Sequence, residues 1–136
     1  MTILETLGSG LPVLALQFAV TLVLLALGVM IYMLMTPFHE RDLIRQGNVA
    51  AGLVLAGTLV SLAIPLAATL ATSTHTLDIV MWGLVALAIQ LAAFRLAAAL
   101  LPGLRDMIEA GNAAAAASLT GIQLAVALLN AGAMAG

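Results

Sequence analysis

Long apolar runs separated by short polar segments organise this chain of 136 residues. Four runs are long enough to cross a hydrocarbon core of about 30 Å as helices that rise about 1.5 Å per residue. They cover approximately Leu11–Met35, Val49–Ala71, Ile79–Leu101 and Ala113–Met134. A membrane β-strand would alternate in polarity over about ten residues, and these runs do not alternate. The pattern predicts an all-α polytopic membrane protein with four transmembrane helices.

A polar octapeptide occurs twice, once before the second apolar run and once before the fourth. Residues 41–48 read Arg-Asp-Leu-Ile-Arg-Gln-Gly-Asn, and residues 105–112 read Arg-Asp-Met-Ile-Glu-Ala-Gly-Asn. We call these segments the first and the second knuckle. The similarity continues downstream, where shared positions are Ala50, Ala51, Leu55, Gly57, Ala63 and Ala67, which return as Ala114, Ala115, Leu119, Gly121, Ala127 and Ala131. The chain therefore contains an internal duplication.

Each repeat consists of a helix, a knuckle and a second helix, within one membrane domain that covers residues 1–136. Repeat one is expected at about 11–71 and repeat two at about 79–135. Because each repeat holds two spans, both repeats have the same orientation in the bilayer. This predicts two parallel-repeat helical hairpins, related by a pseudo-twofold axis along the membrane normal.

The arginines predict which side of the membrane each loop occupies. All four lie in a knuckle or near one: Arg41, Arg45, Arg95 and Arg105. By the positive-inside rule, both knuckles are expected in the cytoplasm and both termini outside. Tyr32 and Trp82 lie near the ends of their spans, where we expect them to join interfacial aromatic belts.

The composition agrees with a membrane protein and excludes several activities. Hydrophobic residues make up 64% of the chain and charged residues 7%, whereas soluble domains carry about a quarter charged residues. With a net charge of -2 and no lysine, the chain offers no basic face for nucleic acid. The absence of cysteine excludes thiol catalysis, disulfides and thiolate metal sites.

The sequence contains no motif for catalysis or for a cofactor. There is no nucleophile with its base, no glycine-rich phosphate loop and no cofactor motif. His39 and His75 are expected in opposite loops, so they cannot share a metal ion. Glu40 is expected in a solvated patch at the interface, and Asp78 as the cap of the third span. We therefore expect no enzymatic activity, no cofactor and no metal site.

The knuckles carry helix-start signals. Asp106 and Glu109 have the spacing of a capping box in which Asp replaces Ser or Thr. In the first knuckle Asp42 keeps the cap position, while Arg45 replaces the glutamate. We expect each Gly-Asn pair to lie inside a continuous helix that leads into the following span. Alternatively, each Gly ends a short helix and each Asn caps a separate one.

Two interpretations of the knuckles remain. In the structural one they cap helices and allow close backbone approach at glycine. In the functional one Asn48 and Asn112 form a paired polar site near the cytoplasmic interface, since an amide in a membrane is costly unless it is paired. Arg45 and Glu109 occupy equivalent positions with opposite charge. We hypothesise that they attract each other across the repeat interface or between protomers.

Arg95 is the one arginine inside a predicted span. It lies within snorkelling reach of the cytoplasmic interface and could pair with Asp42 or Asp106. Alternatively, it is a buried countercharge for an anion or a lipid head group. Other polar residues in the spans are expected to form interhelical hydrogen bonds: Gln17, Thr58, Ser61, Gln90, Thr120, Gln123 and Asn130.

Small residues recur at helical spacing in the second and fourth spans. Gly57 and Ser61 form one small-xxx-small pair, and Ala117 and Gly121 form another. Such pairs let helices approach closely in lipid, either within a chain or between chains. We expect spans two and four to line the interface between the repeats, with the bulkier spans one and three outside.

The duplicated Asp-x-Ile-x-x-Gly-Asn-x-Ala motif opens an Ala/Gly/Leu-rich span in each half. In this it resembles the domain-of-unknown-function 350 family of small bacterial inner-membrane proteins. The resemblance implies four helices in two repeats at the bacterial plasma membrane, and it implies no established activity. The candidate structural or functional polar site comprises Arg41, Asp42, Arg45, Gly47, Asn48, Arg95, Arg105, Asp106, Glu109, Gly111 and Asn112.

These observations favour a non-enzymatic, multi-pass inner-membrane protein whose environment is the lipid bilayer. We expect it to associate with itself or to be a subunit of a larger membrane complex, without nucleic acid. The alternative is a small oligomeric channel or transporter whose path forms between protomers, with Asn48, Asn112 and Arg95 near its cytoplasmic mouth.

Overall fold

The computed structural model describes residues 2–36 and 38–135. Within those residues every regular element is a helix, which confirms the predicted all-α fold. The elements are α1 (Ile3–Met35), α2 (Glu40–Arg45), α3 (Val49–Thr72), α4 (Thr76–Ala99), α5 (Leu104–Glu109) and α6 (Ala113–Ala135). Four of them, α1, α3, α4 and α6, are long and apolar enough to cross a membrane. The short helices α2 and α5 lie in the knuckles.

Helix α1 begins at Ile3, earlier than the predicted start at Leu11. The cause is a capping box at Thr2 and Glu5: the Thr2 hydroxyl accepts from the Glu5 amide at 3.2 Å, and the Glu5 carboxylate accepts from the Thr2 amide at 3.0 Å. With 33 residues, α1 is about 50 Å long and exceeds the hydrocarbon core. A proline is also expected to end this span, because it cannot continue a helix, but Pro37 lies outside the described residues.

The predicted continuous helix through each Gly-Asn pair is wrong, and the alternative is correct. Gly47 has φ +81° and Gly111 has φ +80°, a left-handed conformation that ends a helix and favours glycine. After each glycine, the amide of the asparagine donates back into the short helix at 2.9 Å, Asn48 to the Leu43 carbonyl and Asn112 to the Met107 carbonyl. A new helix then begins at the asparagine.

Three predicted helix caps are also wrong. Helix α2 begins after His39, so Asp42 lies inside its first turn and does not cap it. Helix α5 begins after Gly103, so Asp106 lies inside its first turn and does not cap it. Glu109 does not reach back to a cap and instead accepts from the Arg105 guanidinium at 3.0 Å. At α4 the N-cap is His75, and Asp78 lies within the first turn. An acidic side chain there still favours the helix, because it faces the positive end of the helix dipole.

Helices α3 and α6 pack against each other more extensively than any other pair. They run parallel, since both begin at the knuckles and successive contacts advance along both helices. Helices α1 and α4 pack on this pair and on each other. The expectation that the small-residue spans two and four pack together is therefore confirmed. The division of the chain into two repeats stays a prediction.

The two predicted belt aromatics differ in burial. Tyr32 is fully buried, and its ring lies edge-on to that of Phe94 with centroids 4.9 Å apart, so its assignment to an aromatic belt is wrong. The reason is that α1 turns the Tyr32 face toward α4, and an aromatic pair inside the bundle outweighs the interfacial preference. Trp82 is 55% exposed on α4.

Candidate functional site on the knuckles and helices α3 and α6

The Asn48 side chain joins the two knuckles. Its Oδ1 accepts from the Ala51 amide at 3.0 Å and so caps α3. Its Nδ2 donates to the carbonyls of Ile108 at 2.8 Å and Glu109 at 3.3 Å. These carbonyls lie at the end of α5, where backbone acceptors have no partner within the helix. Both knuckles therefore lie at the same end of the bundle.

Asn112, the equivalent residue of the second knuckle, makes only half of these contacts. Its Oδ1 accepts from the Ala115 amide at 3.1 Å and caps α6. Its Nδ2 donates to no group among the described residues, and the residue is exposed. The two asparagines are thus equal as caps, but only Asn48 bridges the knuckles.

The charged residues of the knuckles are largely solvated. Arg105 and Glu109 form an ion pair at 3.0 Å, one helical turn apart and both well exposed, a geometry worth about 0.3–0.5 kcal/mol. Arg45 forms no ion pair within residues 2–36 and 38–135. The hypothesised attraction between Arg45 and Glu109 is therefore not made inside one chain as an ion pair. Its form between protomers stays a prediction. The remaining charged site residues are also exposed: Arg41, Asp42 and Asp106.

Arg95 lies on the exposed side of α4. It lines a surface groove together with Met35, Ala98 and Ala99. In the part of the chain that the structure describes, it forms no ion pair with Asp42 or Asp106. The guanidinium is therefore not a buried countercharge in this conformation, and its exposure suits a side chain that snorkels along the helix.

Glu40 is the one acidic residue whose predicted environment is wrong. It was expected in a solvated patch, yet it is only 4% exposed. The Thr36 hydroxyl donates to its Oε1, and its neighbour Phe38 is also buried. Glu40 begins α2, and α2 packs against α3. No residue pattern near Glu40 predicts this burial, because it depends on the tertiary course of the chain.

Buried polar side chains connect α3, α4 and α6 in the interior. Gln123 Nε2 donates to the Thr58 hydroxyl at 3.2 Å, and Gln90 Nε2 donates to the Gln123 carbonyl at 2.9 Å. Asn130 Nδ2 donates to the Ala86 carbonyl at 3.2 Å. The predicted interhelical role is confirmed for these side chains. Ser61 instead donates to a carbonyl of its own helix, and Gln17 contributes its backbone carbonyl to Thr21.

The two small-xxx-small pairs have different surroundings. Gly57 and Ser61 are buried, and a Cβ atom added at Gly57 would lie 2.7 Å from the Thr120 Oγ1 atom and overlap it. The Thr120 hydroxyl in turn donates to the Leu53 carbonyl at 3.2 Å. Gly57 is therefore needed for the close approach of α3 and α6.

Ala117 and Gly121, the second pair, are exposed on α6. A Cβ atom added at Gly121 would meet nothing within 4 Å. We call this surface the free face of α6; its exposed small residues are Ala114, Ala117, Ser118, Gly121 and Ala125. Packing within the chain does not explain why small residues line it.

The contact between α3 and α6 joins positions that are not equivalent in the duplicated sequence. Gly57 meets Thr120, and the counterpart of Thr120 in repeat one is Ala56. A twofold axis would also bring Gly121 against Ala56, yet both of these residues are exposed. The contact is therefore heterologous and lacks the twofold relation expected from the sequence.

Comparison with known proteins finds relatives of this chain. Residues 6–134 match the family described as Domain of Unknown Function (DUF350). The chain is similar to the UPF0719 inner membrane protein YjfL of Escherichia coli strain K12, with 36% identity over 104 residues, which cover 76% of this chain and 79% of the relative. The protein of the same name from Escherichia coli O157:H7 matches equally. No solved structure matches the chain significantly.

Proposed function

Because the chain belongs to the DUF350 family, whose description assigns no activity, we propose its function from its contacts. It is a non-enzymatic module of the bacterial inner membrane that associates with further copies of itself in the plane of the bilayer. Two observations support the proposed location. The relatives are named inner membrane proteins, and four helices of this chain are long and apolar enough to span a membrane.

The free face of α6 carries the proposal of self-association. In lipid, apolar exposure alone does not drive helices together, whereas close packing at small residues does. The chain already uses one such pair in this way, since Gly57 lies against Thr120 in the α3–α6 contact. Ala117 and Gly121 offer the same packing device on a surface that has no neighbour within the chain.

Recovery of two tagged copies tests the proposal. Copies with different tags are expressed together, extracted in a mild detergent and purified through one tag. We expect the second tag in the eluate, and its absence would contradict self-association. Mixing separately extracted copies controls for association after extraction.

A matched pair of variants locates the association. Gly121→Leu places a bulky side chain on the free face and should reduce recovery of the second tag severalfold. Gly8→Leu makes the same change at an exposed glycine of α1 that also has open space around it, and it should leave recovery unchanged. Equal recovery from both variants would remove α6 from the interface.

The alternative predicted from the sequence is a channel between protomers with Asn48, Asn112 and Arg95 near its mouth, and it has weaker support at Asn48. Both the carbonyl and the amino group of the Asn48 side chain are occupied, by the cap of α3 and by the end of α5. Neither group is free to line a conduction path in this conformation.

A further inference from the structure

We infer that the free face of α6 takes the first repeat of a second copy, in the same geometry by which repeat one docks on repeat two within a chain. The inference rests on the proposed self-association and adds to it the partner surface and the direction of assembly. The internal duplication and the heterologous α3–α6 contact support it.

The residues by which repeat one binds repeat two have counterparts in repeat two, and these counterparts make no such contact within the chain. Within the chain, repeat one contributes the Asn48 amide, which donates to the Ile108 carbonyl, and Gly57, which lies against Thr120. Their counterparts in repeat two are Asn112 and Gly121. Both are exposed, and the Nδ2 of Asn112 donates to no described residue.

The residues of repeat two that bind repeat one likewise have counterparts in repeat one that make no such contact within the chain. Ile108 and Thr120 receive Asn48 and Gly57 within the chain. Their counterparts in repeat one are Ile44 and Ala56, and both are exposed. The Ile44 carbonyl accepts from the Gly47 amide at 2.9 Å, as the Ile108 carbonyl does from the Gly111 amide. A carbonyl has a second lone pair, so Ile44 can also take the amide of Asn112 from another copy.

Residues at the unused surfaces have changed in matched pairs. Within the chain, Thr58 and Gln123 form a buried hydrogen bond. The counterpart of Thr58 is Ile122, and that of Gln123 is Leu59. Both are apolar and partly exposed, at 37% and 38%. The polar pair inside the chain thus corresponds to an apolar pair, with one residue on each exposed surface. Apolar side chains suit these surfaces because both face lipid before the contact forms.

The charges of the knuckles agree with the same docking. In this geometry the second knuckle of one copy lies beside the first knuckle of the next. This pair repeats the relation of Arg45 to Glu109 within one chain, where the two form no ion pair among the described residues. The opposite charges of Glu109 in the first copy and Arg45 in the second therefore favour the contact over a longer distance than an ion pair.

The direction of assembly follows from the heterologous contact. Each copy presents repeat two to one neighbour and repeat one to another, so copies add head to tail and close into a ring when the rotation allows. The joined helices α3 and α6 are parallel, as they are within one chain. Every copy therefore keeps the same orientation in the bilayer.

Disulfide cross-linking tests the inference, since the chain has no cysteine of its own. The Cβ atom built at Gly57 lies 2.9 Å from that of Thr120. An equivalent contact would therefore bring residues 56 and 121 of two copies within reach of a disulfide, which needs a Cβ separation of about 3.5–4.5 Å. A copy with Ala56→Cys and a copy with Gly121→Cys, differently tagged, are expressed together and oxidised in membranes.

A cross-link between the two different copies is the expected result, and neither variant alone should cross-link to itself. Ile89→Cys replaces Ala56→Cys in the control pair, because Ile89 is exposed on α4 at a similar depth from the knuckles. The control pair should give severalfold less product. A Gly121→Cys copy that cross-links to itself would show a twofold contact and overturn the inference.

Failure of the inference can be told apart from failure of the proposed function. If the two tags are recovered together but residues 56 and 121 give no more cross-link than the control pair, the docking mode is wrong and self-association stands. If the tags are not recovered together, both proposals fall.

Discussion

The Asn48 carboxamide donates to the Ile108 carbonyl at 2.8 Å, across a separation of 60 residues in the chain. This bond joins the start of α3 to the end of α5, at the end of the bundle where both knuckles lie. Its counterpart between Asn112 and Ile44 is not made within the chain. Two equivalent residues of the duplicated sequence therefore differ in what they join.

Replacement of the two asparagines should have unequal effects. Asn48→Ala removes a helix cap, worth about 1 kcal/mol, and two further hydrogen bonds worth about 1 kcal/mol each. Asn112→Ala removes the cap alone. We expect a loss of about 2–3 kcal/mol for the first and about 1 kcal/mol for the second, measured by denaturant unfolding of the isolated protein in detergent. Equal losses would contradict the bridging role of Asn48.

Alanine at the knuckle glycines should destabilise the protein, and alanine at an open helix glycine should not. Gly47 and Gly111 have positive φ, so a side chain there costs about 1–2 kcal/mol. Gly132 lies within α6 with open space around it, where alanine should stabilise by up to about 1 kcal/mol. Thermal unfolding of the three variants measures the effect. A change of the same sign at all three positions would count against the left-handed helix ends.

The two equivalent glycines of α3 and α6 should respond differently to a larger side chain. Gly57→Val overlaps the Thr120 side chain and should cost about 1–3 kcal/mol of fold stability. Gly121→Val meets no atom of its own chain and should leave that stability nearly unchanged. Both are measured in a detergent that keeps the chain monomeric. A destabilised Gly121 variant under those conditions would show that the free face is packed within the chain.

Charge reversal tests the attraction between protomers. Arg45→Glu places a like charge opposite Glu109 of the neighbouring copy, and Glu109→Arg does the same opposite Arg45. Each single change should weaken association, and the double change should restore it. Glu109→Arg also places two arginines one turn apart at Arg105, at a cost of about 0.2–0.5 kcal/mol. Recovery of the tagged copies at low salt is the measurement, and a double variant as weak as the singles would remove this pair from the interface.

The hydrophobic pattern predicted the four spans, because the length of each span follows from hydropathy alone. It also predicted that both knuckles lie at the same end of the bundle, because two spans separate them along the chain. It did not predict which face of a helix is buried. Tyr32 was expected at an interface and is buried, since the depth of a residue in the bilayer does not fix the neighbour it faces. For the same reason, the duplicated pairs at Gly57 and Gly121 looked alike in the sequence and differ in the structure.

Local signals in the sequence account for two of the differences between the predicted and the observed helix ends. A Thr-x-x-Glu signal at Thr2 and Glu5 precedes the first apolar run and would have placed the start of α1 correctly. At the knuckles each helix boundary is set by the Gly-Asn pair and not by the acidic residues. A glycine with positive φ ends the short helix, and the asparagine that follows it caps the next one. The burial of Glu40 had no such local signal, since α2 packs against α3 in a tertiary contact that the hydropathy pattern around Glu40 does not show.

The mass of the protein in native membrane patches tests the central claim most directly. The chain of 13.8 kDa is extracted with a polymer that retains the surrounding lipid, and mass spectrometry then counts the copies in each patch. Self-association predicts one defined multiple of the chain mass, shifted toward the monomer by Gly121→Leu and unchanged by Gly8→Leu. A single copy in every patch of the unaltered protein would contradict it.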